Sequence, residues 1–351
     1  LSIKIYRNTL YQDYLTHVGR NSSEVIAGII NKTNTVTGGV ISPILILMSS
    51  FFLFLGIMSA LFVINLKVAL AAFVGFGLLY WAVISFTRQQ LKENSQTIAD
   101  NSTMVVKSLQ EGLGGIRDVL IDGSQQFYCK LYRKADLPLR RAEGTNAIIG
   151  GSPRYLVEAL GMILIAALAY SLTTQDGGST STIAILGALA LGAQRLLPLL
   201  QQSYSAYTSI NASKSSFEDV LYLLDQPLPL HSTQTEITPI TFEKYIELKN
   251  LSFCYTKDSK WELNNINLRI KKGTRIGFMG LTGSGKSTLI DIIMGLLPPA
   301  DGELSIDGQS ITNDNRKSWQ AHIAHVPQTI YLSDSTLEEN IAFGVPKDQI
   351  D

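Results

Sequence analysis

Residues 41–64 (ISPILILMSSFFLFLGIMSALFVI) run for 24 positions without a charged side chain, and residues 68–86 (VALAAFVGFGLLYWAVISF) repeat this over 19. At 1.5 Å per residue the first run makes a helix of about 36 Å, enough to cross a hydrocarbon core of about 30 Å. Two further apolar runs follow, 155–172 with a single acid, Glu158, and about 182–204 with a single base, Arg195. Two uncharged runs of this length, back to back, do not fit the core helices of a soluble protein. Composition agrees: charged residues make up 17% of the chain, below the roughly 25% of a soluble domain. We expect an α-helical polytopic membrane domain over 1–225, with spans at about 37–64, 67–87, 152–173 and 182–204.

Lys and Arg set the orientation. The stretch 88–154 carries ten of them, the connector 65–67 one (Lys67), and the connector 173–181 none. Basic loops stay in the cytoplasm. The expected placement is therefore a cell (inner) membrane, with 1–35, 88–154 and everything after about 205 on the cytoplasmic side. The stretch 88–154 is patterned rather than loop-like. Leu91, Ile98, Val105, Val106, Leu109, Leu113 and Ile116 recur at helical spacing, so the second span continues beyond the membrane. Gly112, Gly114 and Gly115 punctuate it, IRDVLIDG (116–123) follows, and a return helix is expected from about 124 to 150. Near the start, Asn21 precedes Glu24 at capping-box spacing. That predicts a helix beginning near Ser22 and entering the first span.

A formal net charge of zero argues against a nucleic-acid partner. Cys129 and Cys254 stand far apart, with no CxxC or Cys/His cluster, so they read as unpaired thiols rather than a zinc site or disulfide framework.

Residues 226–244 (QPLPLHSTQTEITPITFEK) have the composition of a linker. Beyond it, at 245–351, the pattern changes to short strands and turns, with strands expected at 245–253, 266–270, 275–280 and 303–308, as in a soluble α/β domain. Gly280, Leu281, Thr282, Gly283, Ser284, Gly285, Lys286 and Ser287 match GxxxxGK[ST], with Thr288 next. An apolar strand (276–279) leads in and an amphipathic helix (288–297) leads out. Phosphate chemistry needs that arrangement: the glycines let backbone N–H groups approach phosphate oxygens, and the helix N-terminus adds partial positive charge. Lys286 is placed to reach the β- and γ-phosphates of ATP, and the Ser287 hydroxyl to bind Mg2+.

Membrane helices followed by GLTGSGKST, then IDG and HVPQ, resemble an ATP-binding cassette (ABC) exporter, and the resemblance covers essentially the whole chain. It implies that Tyr255, 25 residues before Gly280, stacks on adenine. It implies that Gln328 is the Q-loop residue that contacts Mg2+ and the attacking water, and that residues about 10–20 and 115–123 are coupling helices. His322 and His325 match nothing catalytic and read as structural. Such exporters place ATP between the P-loop of one subunit and the signature motif of another, which implies a second half-transporter, a homodimer, as partner. They have six spans per half, of which four are counted here. No signature motif, Walker B carboxylates, D-loop or switch histidine occurs between Leu1 and Asp351, and the first residue is not Met. The chain therefore reads as a fragment with a truncated P-loop domain, expected to be inactive as an ATPase by itself.

Cargo is less legible. Within the family, RLLP and GGIRDVLIDG most resemble the lipid-linked oligosaccharide flippases, with multidrug and lipid A exporters as the near alternative. Arg195 within a span is costly. Its guanidinium would hold a phosphate or pyrophosphate headgroup; alternatively it pairs with Glu158 or snorkels outward. A soluble ABC ATPase of nucleic-acid metabolism is disfavoured by the spans, and importers usually keep membrane and ATPase parts on separate chains.

Overall fold

The computed structural model describes residues 1–350 except Asn65, 177–179, 227–237, 257–259 and Thr329. It divides into two units, Leu1–Gln12 with Thr16–Leu228, and Asp13–Leu15 with Pro229–Asp351.

The first unit is helical. After α1 (Ser2–Leu10) and α2 (Tyr14–Val18), a helical rod begins at α3 (Ser22–Ala27) and continues through α4 (Thr33–Val36) into α5 (Ser42–Ile64). Two π-helical turns, Gly28–Lys32 and Thr37–Ile41, interrupt it. Within Ser22–Val63 an 18-residue stretch of the rod has mean hydropathy 2.4 and only 17% of it is buried, so it has the length and composition of a membrane crossing. Next come α6 (Leu66–Gly114), α7 (Ile116–Ile121), α8 (Gln125–Gly151), α9 (Pro153–Asp176), α10 (Thr180–Ala212) and α11 (Lys214–Leu224). The segments expected as spans are helical, within α5, α6, α9 and α10; among the described residues the helix that contains α5 is the one with the length and hydropathy of a crossing. With 49 residues, α6 is about 74 Å long, more than twice a bilayer core.

The start near Ser22 stands, but the capping box does not form. The Asn21 side chain accepts from the Ser23 N–H (3.1 Å) and hydroxyl (2.7 Å), while Glu24 faces Arg20 at 3.5 Å. The Arg20 guanidinium draws the carboxylate away from the cap.

Apolar faces set the packing. Val105, Ala135 and Leu139 join α6 to α8, and Asn94 donates to Asn146 across that pair at 2.7 Å. Met58, Leu61, Ala69 and Leu196 join α5, α6 and α10. The π turns let α11 come close: a Cβ on Gly28 would lie 2.3 Å from the Leu223 side chain, and one on Gly39 2.0 Å from Ser213 Oγ. Beside this contact the buried ammonium of Lys32 meets the Asp219 carboxylate at 2.6 Å.

The second unit is built on an antiparallel sheet of β1 (Tyr245–Phe253), β2 (Leu263–Lys271), β3 (Asp301–Ile306) and β4 (Gln309–Ser310), in the order β2-β1-β3-β4. Helix α12 (Lys286–Ile293) packs on it through Leu289 and Ile292 against Leu248, Leu251, Phe253, Leu263 and Leu304. Short helices α13 (Arg316–Gln320) and α14 (Leu337–Ile341) follow. Asp13–Leu15 belong to this unit: Leu15 packs against its core, and Asp13 accepts from the largely buried Arg316 at 3.0 Å.

Two expectations are corrected. Residues 275–280 form no strand. A strand needs a neighbour to take its N–H and C=O groups, and among the described residues none pairs with this segment; Phe278 packs on the core while Met279 is 96% exposed. The helix expected at 288–297 spans Lys286–Ile293 instead. It stops early because Gly295 takes a left-handed φ of +69°. The N–H of Gly295 then bonds the Ile292 carbonyl (2.8 Å) and that of Leu296 the Asp291 carbonyl (2.8 Å), a Schellman ending. Trp319 Nε1 and Gln320 Nε2 satisfy the carbonyls of Ile293 (2.7 Å) and Gly295 (3.1 Å).

Candidate functional site

Gly280 to Ser287 form a turn that enters α12 at Lys286, so the first N–H groups of that helix point back toward the loop without intrahelical acceptors. The turn depends on two left-handed residues, Gly283 (φ +79°) and Gly285 (φ +81°). Gly285 also faces the start of β2. A Cβ there would lie 3.0 Å from the Glu262 carbonyl oxygen and 2.8 Å from Leu263 Cδ2. Leu281, Thr282, Ser284 and Ser287 are exposed around the turn, and Thr288 is buried behind it. Lys286 Nζ folds back over the loop and donates to the carbonyls of Gly280 (2.9 Å) and Leu281 (2.7 Å), with Ser284 Oγ at 3.3 Å. The ammonium is thus held over the mouth of the loop by acceptors that phosphate oxygens can replace.

Tyr255 stands beside this loop. Its Oη shares a hydrogen bond of 3.2 Å with Thr288 Oγ1, and its ring meets Phe253 edge-on at 5.0 Å. More than a third of the side chain stays exposed, leaving a ring face for a planar ligand. Gln328 is exposed on a bend after α13, and no hydrogen bond among the described residues joins it to the loop.

Burial pushes the Asp291 carboxyl above the usual carboxylate range, with His325 pulling it back. The Tyr14 hydroxyl is also raised, by burial first and then by Asp291 and Tyr255. This trio was invisible to motif reading, because Tyr14 lies far from the other two in sequence and only folding brings it near. His322 Nε2 lies against the Ile240 carbonyl, and its ring packs by Phe242 and Trp319, a structural setting.

Arg195 is exposed on α10, with Gln194 and Gln202 also exposed and Gln201 half-buried. Glu158 does not pair with it. Glu158 accepts from Arg154 at 2.9 Å, four residues back on α9, because that pair needs no second helix. Among the described residues Arg195 has no ionic partner. Neither cysteine is bonded, and no group of three or more His, Cys, Asp or Glu side chains among the described residues could hold a metal.

Comparison with known proteins agrees with this geometry. The family described as ABC transporter transmembrane region matches residues 1–170, and that described as ABC transporter matches residues 263–351. An ATP-dependent lipid A-core flippase of Francisella novicida is 23% identical over 337 residues, 93% of this chain and 55% of that protein. A Bacillus subtilis protein, provisionally named a multidrug export ATP-binding/permease protein, is 25% identical over 351 residues, 99% of this chain and 58% of its own length. The chain thus spans about half the length of the curated relatives it matches. In fold it is similar to a bacterial Atm1-family ABC exporter solved with ATP bound, at TM-score 0.77 and 17% identity, over 98% of this chain and 60% of that one. A helical transmembrane region and a phosphate-loop domain joined in one chain place it in a single family: the chain belongs to the ABC transporters.

Proposed function

We propose that the chain is part of a half-transporter that uses ATP to flip or export a lipid-linked or other amphipathic substrate across the cytoplasmic membrane, with its ATP-binding domain in the cytoplasm. The observation that carries this is Lys286, held over a turn that only glycine can make, in a chain whose other half is membrane helix. ATP phosphates would bind the N–H groups from Gly280 to Thr288, and Lys286 would exchange its carbonyl partners for the β- and γ-phosphates. Tyr255 would offer its ring to adenine. Ser287 and Gln328 would hold Mg2+, which neutralises charge developing on the transferred phosphoryl group, and Gln328 would orient the attacking water. Sealing the site requires a second half-transporter, a homodimer in the simplest case.

Substituting Lys286 by Ala removes charge-assisted hydrogen bonds worth about 1.5–3 kcal/mol, so trinitrophenyl-ATP affinity in the whole protein should fall about 10- to 150-fold. Wild-type affinity in that variant would sink the assignment.

The names of the relatives bracket the cargo as lipid A-core or drug. Two features bear on the choice. Arg195 suits a phosphate or pyrophosphate headgroup, whereas an apolar cavity of about 250 Å3 between α5, α6 and α10, lined by Phe54, Phe73, Phe76, Tyr80, Tyr204 and Tyr207, suits an uncharged amphiphile. Stimulation of the whole protein's ATPase by a lipid-linked sugar pyrophosphate, lost in Arg195→Gln, supports the first. Stimulation by uncharged amphiphiles alone supports the second.

A further inference from the structure

A polar cavity of about 920 Å3 lies where α6 leaves its apolar run, between that helix and the α10–α11 junction. Its wall on α6 carries Arg88 and Lys92, four residues apart and therefore on one helix face. Arg88 follows the uncharged run 68–86 by two residues. Just before it, Trp81 and Phe86 are exposed, and aromatic rings of this kind mark the level of lipid headgroups.

The other polar groups around the cavity are already engaged. Ser95 Oγ accepts from the Ser215 N–H at 2.9 Å and lies 3.1 Å from its hydroxyl. The Asn211 amide donates to the Tyr207 carbonyl at 2.8 Å. Glu93 accepts from Gln89 at 3.0 Å, and Glu218 faces Lys214 at 3.8 Å. Arg88 and Lys92 remain as two cations with no carboxylate in ion-pair range among the described residues. Both side chains are exposed, and helices α6, α10 and α11 line the open cleft in front of them.

We propose that this cavity binds the phosphate-bearing headgroup of an anionic membrane lipid, with Arg88 and Lys92 as its ligands and the acyl chains lying along the apolar part of α6 beside Trp81, which is seven residues before Arg88 and on the same helix face. The proposal rests on reading α6 as a membrane span. It does not depend on the cargo or on the nucleotide site. Depth separates a lipid from a soluble phosphate as the occupant: both cations sit within two turns of the end of the apolar run.

The test is native mass spectrometry of the whole protein in detergent, titrated separately with phosphatidylglycerol, phosphatidylcholine and inorganic pyrophosphate. Each cation near a membrane surface contributes about fivefold to anionic-lipid binding. Arg88→Gln/Lys92→Gln should therefore lower phosphatidylglycerol retention about 25-fold, with phosphatidylcholine unchanged. The charge-keeping swap Arg88→Lys/Lys92→Arg should retain most of it, and removing two cations elsewhere, Lys130→Gln/Lys134→Gln on α8, should cost little. Equal retention in wild type and the double Gln variant, at unchanged melting temperature, overturns the site. Pyrophosphate binding lost in that variant while lipid retention persists overturns the lipid assignment. Lys286→Ala, which probes the nucleotide reading, should leave lipid retention untouched, so the two readings fail separately.

Discussion

Substituting Gly285 by Ala isolates what the phosphate loop demands of its backbone. Gly283 and Gly285 have almost the same φ, +79° and +81°, so Ala at either pays a left-handed cost of about 1–2 kcal/mol. They differ in surroundings. Nothing lies within 4 Å of a Cβ at Gly283, whereas one at Gly285 would sit 3.0 Å from the Glu262 carbonyl oxygen and 2.8 Å from Leu263 Cδ2. The leucine tip can rotate. The carbonyl cannot move without shifting the start of β2, because the Glu262 N–H is bonded to the Phe253 carbonyl at 2.9 Å. Overpacking of this kind adds about 1–2 kcal/mol. If the strain is relieved by opening the loop, apparent ATP affinity falls with the fraction of closed loop. Gly283→Ala should then weaken trinitrophenyl-ATP binding about 5- to 30-fold, and Gly285→Ala about tenfold further. Gly277→Ala, with ordinary φ and open space, serves as the control and should bind like wild type. The reasoning is refuted if Gly285→Ala binds as tightly as Gly283→Ala, or if both match the control.

Three further outcomes follow from particular contacts. Asp219→Ala strands the buried Lys32 ammonium and should cost about 3 kcal/mol, whereas Lys32→Met, which removes the buried charge, should cost about 1 kcal/mol or less. Thermal unfolding in detergent should accordingly show the double variant recovering most of what Asp219→Ala loses. Asp307 accepts backbone N–H groups from Glu243 (2.5 Å), Tyr245 (2.7 Å) and Lys244 (2.9 Å), which hold its carboxyl below the usual range. A depressed folded pKa stabilises above the unfolded value of about 3.9 and is lost as pH falls through the folded one. Melting curves of wild type and Asp307→Asn should therefore differ at pH 7 and converge in acid. Gln328→Ala, with no hydrogen bond to the loop among the described residues, should leave nucleotide affinity within a few-fold of wild type while lowering turnover of the whole protein; loss of binding itself would remove Gln328 from the water-positioning role.

Much of this protein is legible along the chain because its signals are local. A helix long enough to span a bilayer needs only an unbroken apolar run, so 41–64 and 68–86 announce α5 and α6 without any knowledge of their neighbours. The strand-forming composition of YIELKNLSF yields β1 end to end, and the loop at Gly280 to Ser287 is defined by glycines whose backbone no other residue adopts cheaply. What the sequence leaves open depends on partners far away in it. RIGFMG has strand composition, yet no described strand lies beside it, and a strand is completed by its neighbour. Glu158 had two basic candidates and took Arg154, one turn away, over Arg195 on another helix. The Lys32–Asp219 and Asp13–Arg316 pairs join residues 187 and 303 positions apart, and the cavity before Arg88 and Lys92 exists only because α10 and α11 close over one face of α6. Composition and period choose which residues must leave water, but which of them meet is decided by the packing of whole helices, and that is a property of the tertiary structure alone.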